Sequence, residues 1–171
     1  MYAELLILRF VHVVTGIAWV GSGIFVAFFL IPALANTPAL MPQVMDGLQR
    51  RRVFIILPTA GLLTIISGLR LLWIDSAAFS GSYFATGPGA TFGAGGVAAL
   101  IAFTLQVFVS RPAGMRLGQV AAMLAGSPSA DERQRLTAEA DRLRRRNAAA
   151  TLGAVSFGLI AASAMAIARY V

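Results

Sequence analysis

Four long apolar runs divide the chain, and polar connections separate them. A transmembrane helix needs about 20 consecutive, mainly apolar residues to cross the hydrocarbon core of a bilayer. Each run reaches that length, and each contains at most one charged residue. The pattern therefore predicts four transmembrane helices, at residues 5–34, 53–74, 90–109 and 147–170.

The polar connection before the fourth run, residues 110–146, predicts a further helix. A turn at Gly126-Ser127-Pro128 is followed by a capping box from Ser129 to Glu132. Apolar residues then recur at helical spacing and form a narrow stripe. They are Leu136, Ala140 and Leu143. Nothing in the sequence interrupts this helix before Asn147, so we expect it to run directly into the fourth span.

Short connections place successive helices side by side in opposite directions. The predicted fold class is all-α: a polytopic integral membrane protein with a single membrane domain over residues 1–171. It is expected to form an antiparallel four-transmembrane-helix bundle, with a charged cytoplasmic helix before the last span. Proline interrupts helices, so Pro32 should end or kink the first span and Arg111-Pro112 should end the third.

Composition agrees with a membrane protein. Charged residues make up 12% of the chain, whereas soluble domains contain about 25%. The formal net charge is +7, and the chain has arginine but no lysine. The arginines lie next to apolar spans rather than on a polar domain. We therefore expect no nucleic-acid partner. The absence of cysteine excludes disulfides, thiolate metal sites and cysteine catalysis.

The arginines are distributed unevenly between the connections. Arg50, Arg51 and Arg52 precede the second span, and eight arginines lie in residues 110–146. The connection between the second and third spans, residues 75–88, has none. Because positively charged loops remain in the cytoplasm, the sequence predicts that both termini lie outside.

His12 is the single histidine of the chain and lies inside the first span. Ionisable groups within a span are costly and often functional. His12 is either a neutral histidine bonded to a neighbouring helix or a ligand of a metal or of haem iron. The residues that follow on its helix face would admit a close helix or a flat macrocycle. They are Gly16, Trp19, Gly23 and Ala27. A bare metal ion is less favoured, because the spans contain no carboxylate and no second histidine.

Three arginines lie near the predicted outer ends of three different spans: Arg9, Arg70 and Arg169. Each either extends to the lipid headgroups or helps to hold an anionic group. The propionates of a haem would suit them. Glu4 and Asp75 lie at the same boundary, where they are expected to pair with Arg9 or Arg70.

Two further features predict contacts between helices. Gln106 is the one amide inside a span, and we expect it to form an interhelical hydrogen bond. The last span has a small residue at every fourth position, which permits close approach of another helix within the monomer or in a homodimer. These residues are Ala150, Ala154, Gly158, Ala162 and Ala166.

Short motifs along the chain resemble one family, and the likeness covers all four spans in order. They are similar to helices of the HemJ-type protoporphyrinogen oxidases and of the CopD-like bacterial integral membrane proteins, many of them uncharacterised. The first motif is Phe10–Gly21, with His12 and then Trp19. The others are Arg50–Arg52 followed by Pro58, Leu63-Thr64 and Gly68-Leu69, and Arg144–Asn147 at the start of the last span.

The resemblance implies a protein of the bacterial inner membrane that binds haem b through His12. HemJ-type enzymes have a lysine in the third helix and further histidines, whereas this chain has no lysine and only His12. The resemblance therefore does not extend to the enzymatic activity. A second axial histidine would have to be His12 of a second copy. Otherwise the iron would be five-coordinate, or no haem would be bound.

Three functions remain open at this point. The first is haem b binding through His12, with Arg9, Arg70 and Arg169 beside the propionates, in electron transfer or in haem and porphyrin handling. The second is a cofactor-free structural or accessory subunit that packs against partner helices. The third is a transport component, which the lack of carboxylates inside the spans makes least favoured.

Overall fold

A computed structural model describes residues 2–126 and 128–171. These residues are helical almost throughout and include no strand, so the all-α fold class is confirmed. The helices are α1 (Tyr2–Phe25), α2 (Ile31–Ala35), α3 (Met41–Arg50), α4 (Val53–Asp75), α5 (Gly81–Phe84), α6 (Gly87–Thr104), α7 (Arg111–Ala125) and α8 (Ala130–Ile167). Four continuous helical stretches are long and apolar enough to cross a membrane: Tyr2–Ala35, Val53–Asp75, Gly87–Ala125 and Ala130–Tyr170.

The four long helices form an antiparallel bundle. α1 packs on α4 and α8, and α6 packs on the same two helices. The contacts between α1 and α4 run in opposite directions along the two helices. The paired residues are Glu4 with Arg70, His12 with Thr64, and Trp19 with Gly61. This register brings the polar residues of the first two spans together inside the bundle.

Two π-helical segments lie within the long helices, and each comes directly before a proline-containing turn. Val26–Leu30 precedes Pro32, and Leu105–Ser110 precedes Pro112. Proline lacks an N–H, and its ring collides with the carbonyl four residues earlier. A π segment widens the turn by one residue, so the helix continues past the proline. The prediction that Arg111-Pro112 ends the third helix is therefore wrong, because that helix continues to Ala125.

α7 and the polar half of α8 form a helical hairpin. α8 runs without a break from Ala130 to Ile167, so the charged helix and the last span are one helix, as predicted. Ser129 caps its start, and its hydroxyl accepts from the backbone N–H of Glu132 at 3.4 Å. The turn predicted at Gly126-Ser127-Pro128 includes Ser127, which lies outside the described residues.

The apolar stripe of α8 is buried against α7. Val120 of α7 is fully buried, and the three stripe residues are at most 8% exposed. The hairpin core contains Ala113, Val120, Leu136, Ala140 and Leu143. The stripe was predicted from the sequence, whereas its partner helix was not. The hairpin therefore has a small apolar core of its own, separate from the contacts inside the four spans.

The small residues of the last span pack within the monomer only in part. Ala150 and Gly158 are buried, and Ala154 is half-buried, whereas Ala162 and Ala166 are exposed. An α-helix has 3.6 residues per turn, so a strict four-residue repeat rotates by about 40° per step relative to a fixed neighbour. The row of small residues therefore turns away from the neighbouring helices of the monomer after Gly158. A homodimer through its exposed end stays a prediction.

An ion pair joins the two helices of the hairpin. Nε of Arg116 donates to Oε1 of Glu139 at 2.7 Å, and Nη2 donates to Oε2 at 3.2 Å. These hydrogen bonds hold the pKa of Glu139 below its ordinary value, and the positive charge of Arg116 acts in the same direction. A carboxyl group with a lower pKa in the folded state stabilises the fold above its unfolded pKa. That contribution is lost as the pH falls through the folded pKa.

We therefore expect the hairpin to loosen as the pH falls below the ordinary glutamate pKa of about 4.3 and through the lower pKa of Glu139 in the folded hairpin. Amide exchange in α7, corrected for the intrinsic exchange rate, measures this. Glu139→Gln should make protection slightly lower at neutral pH and less dependent on pH. Glu132→Gln is the matched control, because it leaves the Arg116 pair intact and should keep the pH dependence. Equal pH dependence in wild type and Glu139→Gln would contradict the assignment.

Candidate functional site

His12 lies on the face of α1 that meets both α4 and α8. Its ring is half-buried, and both nitrogens are in contact with other helices. Nδ1 lies 2.9 Å from the carbonyl oxygen of Thr64 and 3.4 Å from the hydroxyl of Ser67, both on α4. Nε2 lies 3.3 Å from Sδ of Met165 on α8. His12 is thus the point where three of the four long helices meet through polar atoms.

The contact with Thr64 determines the tautomer of neutral His12. A carbonyl oxygen can only accept a hydrogen bond, so Nδ1 carries the proton and donates it to Thr64. Nε2 of the neutral ring then presents a lone pair towards Met165. A thioether sulfur is also an acceptor and has no proton to donate. Two electron pairs therefore face each other, and a cation shared between them, or a proton on Nε2, would make the contact attractive.

Gly68 provides the space that the imidazole occupies. A Cβ atom at this position would lie 2.7 Å from Cε1 and 3.0 Å from Nδ1 of His12. One turn further into the bundle, the hydroxyls of Thr15 and Thr64 are 2.8 Å apart. The polar contacts of His12 therefore continue along the interface of α1 and α4, and the ring is held by its surroundings on both sides.

The groove beside His12 is filled by neighbouring helices. A Cβ added to Gly16 would meet the methyl group of Thr64 at 3.5 Å, and one added to Gly23 would meet Val155 at 3.6 Å. Of the two occupants that the sequence allowed, a close helix is the one that lies there. The small residues on this face of α1 serve helix packing.

Trp19 is 4% exposed and lies deeper in the same groove. Its ring packs on Gly61 and meets Phe103 edge-to-face, with 5.8 Å between the centroids. Nε1 donates to Oε1 of Gln106 on the π segment of the third span. Gln106 therefore forms the interhelical hydrogen bond expected from the sequence. Trp19 is a core residue that joins α1 to the third span.

The three arginines have different surroundings. Nε and Nη2 of Arg70 donate to Oε1 of Glu4, at 3.0 and 2.7 Å, which ties the start of α1 to the end of α4. Arg9 and Arg169 are exposed. The ion pairs found among residues 2–126 and 128–171 involve neither of them. Arg70 thus has a structural partner, and the other two face the surroundings of the protein.

The donor atoms at His12 suit a metal, but the packing does not leave room for a macrocycle between them. Imidazole nitrogen and thioether sulfur are both ligands of haem iron. Metal bonds of about 2.0 Å to nitrogen and about 2.3 Å to sulfur would separate two collinear axial ligands by about 4.3 Å. The observed distance from Nε2 to Sδ is 3.3 Å, and a Cβ atom on Gly68 would lie only 2.7 Å from Cε1 of the ring. A haem between His12 and Met165 therefore requires α8 to move away from α1.

Among the described residues, no three histidine, cysteine or acidic side chains come together in a group that could hold a metal ion. Open depressions of about 420 and 360 Å³ lie on the polar part of α8, far along the chain from His12. They are lined by Asp131, Gln134, Arg135, Ala138, Glu139 and Arg142. Among the described residues of the spans, His12 is the one side chain whose neutral form has a nitrogen lone pair.

Sequence reasoning identified His12 but not its partners. Thr64, Ser67 and Gly68 recur at three- and four-residue spacing in an otherwise apolar span, which indicates a polar and small helix face. That signal was available in the sequence. Met165 gave none, because methionine is an ordinary core residue that fills irregular gaps. Its role depends on the rotation of α8, which the sequence pattern does not determine.

Compared with known proteins, the chain matches no family model, and no significant match is found among curated proteins or solved structures. The resemblance to the HemJ-type and CopD-like proteins therefore depends on the short motifs alone. The candidate site is defined by the contacts of His12.

Gly68→Ala should disturb the site directly, because the new methyl group overlaps the imidazole. We expect a loss of about 1–3 kcal/mol in unfolding free energy, the usual cost of overpacking a core, together with a changed His12 ring resonance in NMR spectra. Gly96→Ala is the control, since a Cβ there meets nothing within 4 Å. It should be neutral or slightly stabilising. If both variants unfold alike, the close packing of Gly68 on His12 is not present in solution.

Proposed function

We propose that this multi-pass membrane protein holds a metal group at Nε2 of His12 and acts in electron transfer or in haem and porphyrin handling. One observation carries the proposal: Nδ1 lies 2.9 Å from the backbone carbonyl of Thr64, so in the neutral ring Nε2 carries the lone pair. Metal-binding histidines are commonly oriented in this way, with the second ring nitrogen bonded to a carbonyl or a carboxylate. An ionisable residue inside a bilayer costs free energy, so its presence there indicates a function.

Haem b is the group that the resemblance to the HemJ-type proteins implies, and one-electron redox chemistry is what it would supply. The donor atoms His12 Nε2 and Met165 Sδ support the proposal, because histidine and methionine together form a known axial pair. The closed packing of α1 on α8 opposes it. Haem binding would therefore be coupled to separation of these helices at His12, with Thr64 continuing to orient the ring. The exposed Arg9 and Arg169 are available to anionic groups at the membrane boundary.

The second candidate is a cofactor-free accessory subunit, and the packing of His12 favours it. Both ring nitrogens already have neighbours inside the monomer. The outer faces of the helices also carry large apolar side chains, such as Phe10, Ile17 and Phe108, each at least 67% exposed. Lipid or partner helices would cover these faces. In this case His12 is a structural link between α1 and α4.

A spectrum of the purified protein separates the two candidates. Wild type produced with ample haem should show a Soret band, and His12→Gln should lose it while keeping the helical circular dichroism signal. Met115→Leu alters an exposed residue of α7 and should retain the band. A folded but colourless wild type would rule out haem binding, and a full band in His12→Gln would rule out His12 as the ligand.

We further propose that the protein lies in the inner membrane of a bacterium with both termini outside. The arginine distribution supports this orientation, because residues 110–146 contain eight arginines and only four acidic residues. Basic segments of this kind stay in the cytoplasm. The outer connection, residues 75–88, contains one acidic residue and no basic residue.

The orientation is tested by labelling with an impermeant maleimide in intact cells, since the chain has no cysteine of its own. Ser82→Cys should be labelled from outside, and Ser129→Cys only after the cells are opened. Both serines are exposed, so their accessibility within the fold is matched. Labelling of Ser129→Cys in intact cells, without labelling of Ser82→Cys, would reverse the orientation.

A further inference from the structure

We propose that an arginine belt at one end of the bundle binds the phosphate groups of anionic phospholipids. The arginine belt comprises Arg51, Arg52, Arg111, Arg145 and Arg146, all of which are exposed. The salt bridges found among residues 2–126 and 128–171 involve none of the five. The proposal goes beyond the candidate site, because it does not depend on what His12 binds.

The contact of the third span with α8 brings part of the belt to one level. The hydroxyls of Ser110 and Thr151 lie 3.3 Å apart. Arg111 follows Ser110 directly, and Arg145 and Arg146 come just over one turn before Thr151 on α8. The arginines of these two helices therefore lie at the same end of the bundle, where the last apolar run begins.

The register of α1 places the start of α4 at this end too. Gly61 of α4 packs on Trp19, and a Cβ added to Gly23 would meet Val155 of α8 at 3.6 Å. Both partners run antiparallel to α1, and residues along each helix rise by the same 1.5 Å. The start of α4, and with it Arg52, is therefore level with the beginning of the last apolar run.

The depth of these arginines corresponds to the lipid headgroups. At about 1.5 Å per residue, Arg145 and Arg146 lie within about 3 Å of Asn147 along the axis of α8, and the headgroup layer is about 5–7 Å thick on each side of a bilayer. Arg133 and Arg135 lie about 18–21 Å beyond Asn147. Because α8 is unbroken, this outer part of the helix does not fold back onto the membrane.

The charges around the belt favour an anionic ligand. The two carboxylates that adjoin the belt in the chain, Asp46 and Asp141, already pair with Arg50 and Arg144. Guanidinium groups bind phosphate oxygens through two parallel hydrogen bonds, and each arginine beside an anionic membrane adds to the attraction. An acidic soluble protein would contact the outer part of the hairpin more easily than the belt, which headgroups surround. The ligand that fits this depth is therefore a lipid phosphate.

Native mass spectrometry of the full-length protein in detergent, titrated with phosphatidylglycerol or phosphatidylcholine, tests the proposal. Wild type should bind phosphatidylglycerol about tenfold or more tightly than phosphatidylcholine. Arg145→Gln/Arg146→Gln should lower the affinity for phosphatidylglycerol about tenfold or more and leave the affinity for phosphatidylcholine unchanged. Arg133→Gln/Arg135→Gln is the matched control, since it removes the same charge from exposed positions of the same helix outside the headgroup layer. It should bind both lipids as wild type does.

Each variant is first shown to elute and fold as wild type does. An equal loss in both double variants would overturn the belt, because overall charge would then attract the lipid. Wild type without a preference, or a preference that survives in Arg145→Gln/Arg146→Gln, would overturn it as well. Release of phosphatidylglycerol by an equal concentration of inorganic phosphate would indicate a site for the free ion and would overturn lipid binding. None of these results bears on the metal at His12, which the absorption spectrum tests separately.

Discussion

The fold depends on the need to satisfy polar groups where no water is available. Within a bilayer every backbone N–H and C=O must be bonded inside the chain, which leaves helices as the solution for the four spans. Apolar side chains gain little by contacting each other rather than lipid, so close approach and interhelical hydrogen bonds hold such helices together. The interface of α1 and α4 has both, because Gly16 and Gly61 admit close contact and Thr15, Thr64 and His12 bond across it.

Hydropathy and helix signals predicted much of the architecture from the sequence. The four spans, the continuous α8, its buried stripe and the hydrogen bond of Gln106 are all present. These features follow from local composition or spacing. The continuation of the third helix past Pro112 was missed, because it depends on a π segment whose wider turn leaves no mark in an apolar sequence. Met165 was missed for a related reason: its position depends on the rotation and register of α8 against α1.

His12 connects the fold to the functional question. The same atoms that pack the helices also form the candidate metal site, so occupancy and helix packing cannot vary independently. A porphyrin between His12 and Met165 would have to separate α1 from α8. The distance between these two helices would therefore indicate which group is bound, as a spectrum would.

Because α8 is unbroken, movement of this helix at His12 would be transmitted to its other end. Its 38 residues form a rod about 57 Å long at 1.5 Å per residue, with Met165 near one end and the α7 hairpin packed on the other. A helix without a hinge transmits tilt and axial displacement along its length. A change in the distance between α1 and α8 at His12 would therefore displace the charged hairpin at the other end of α8.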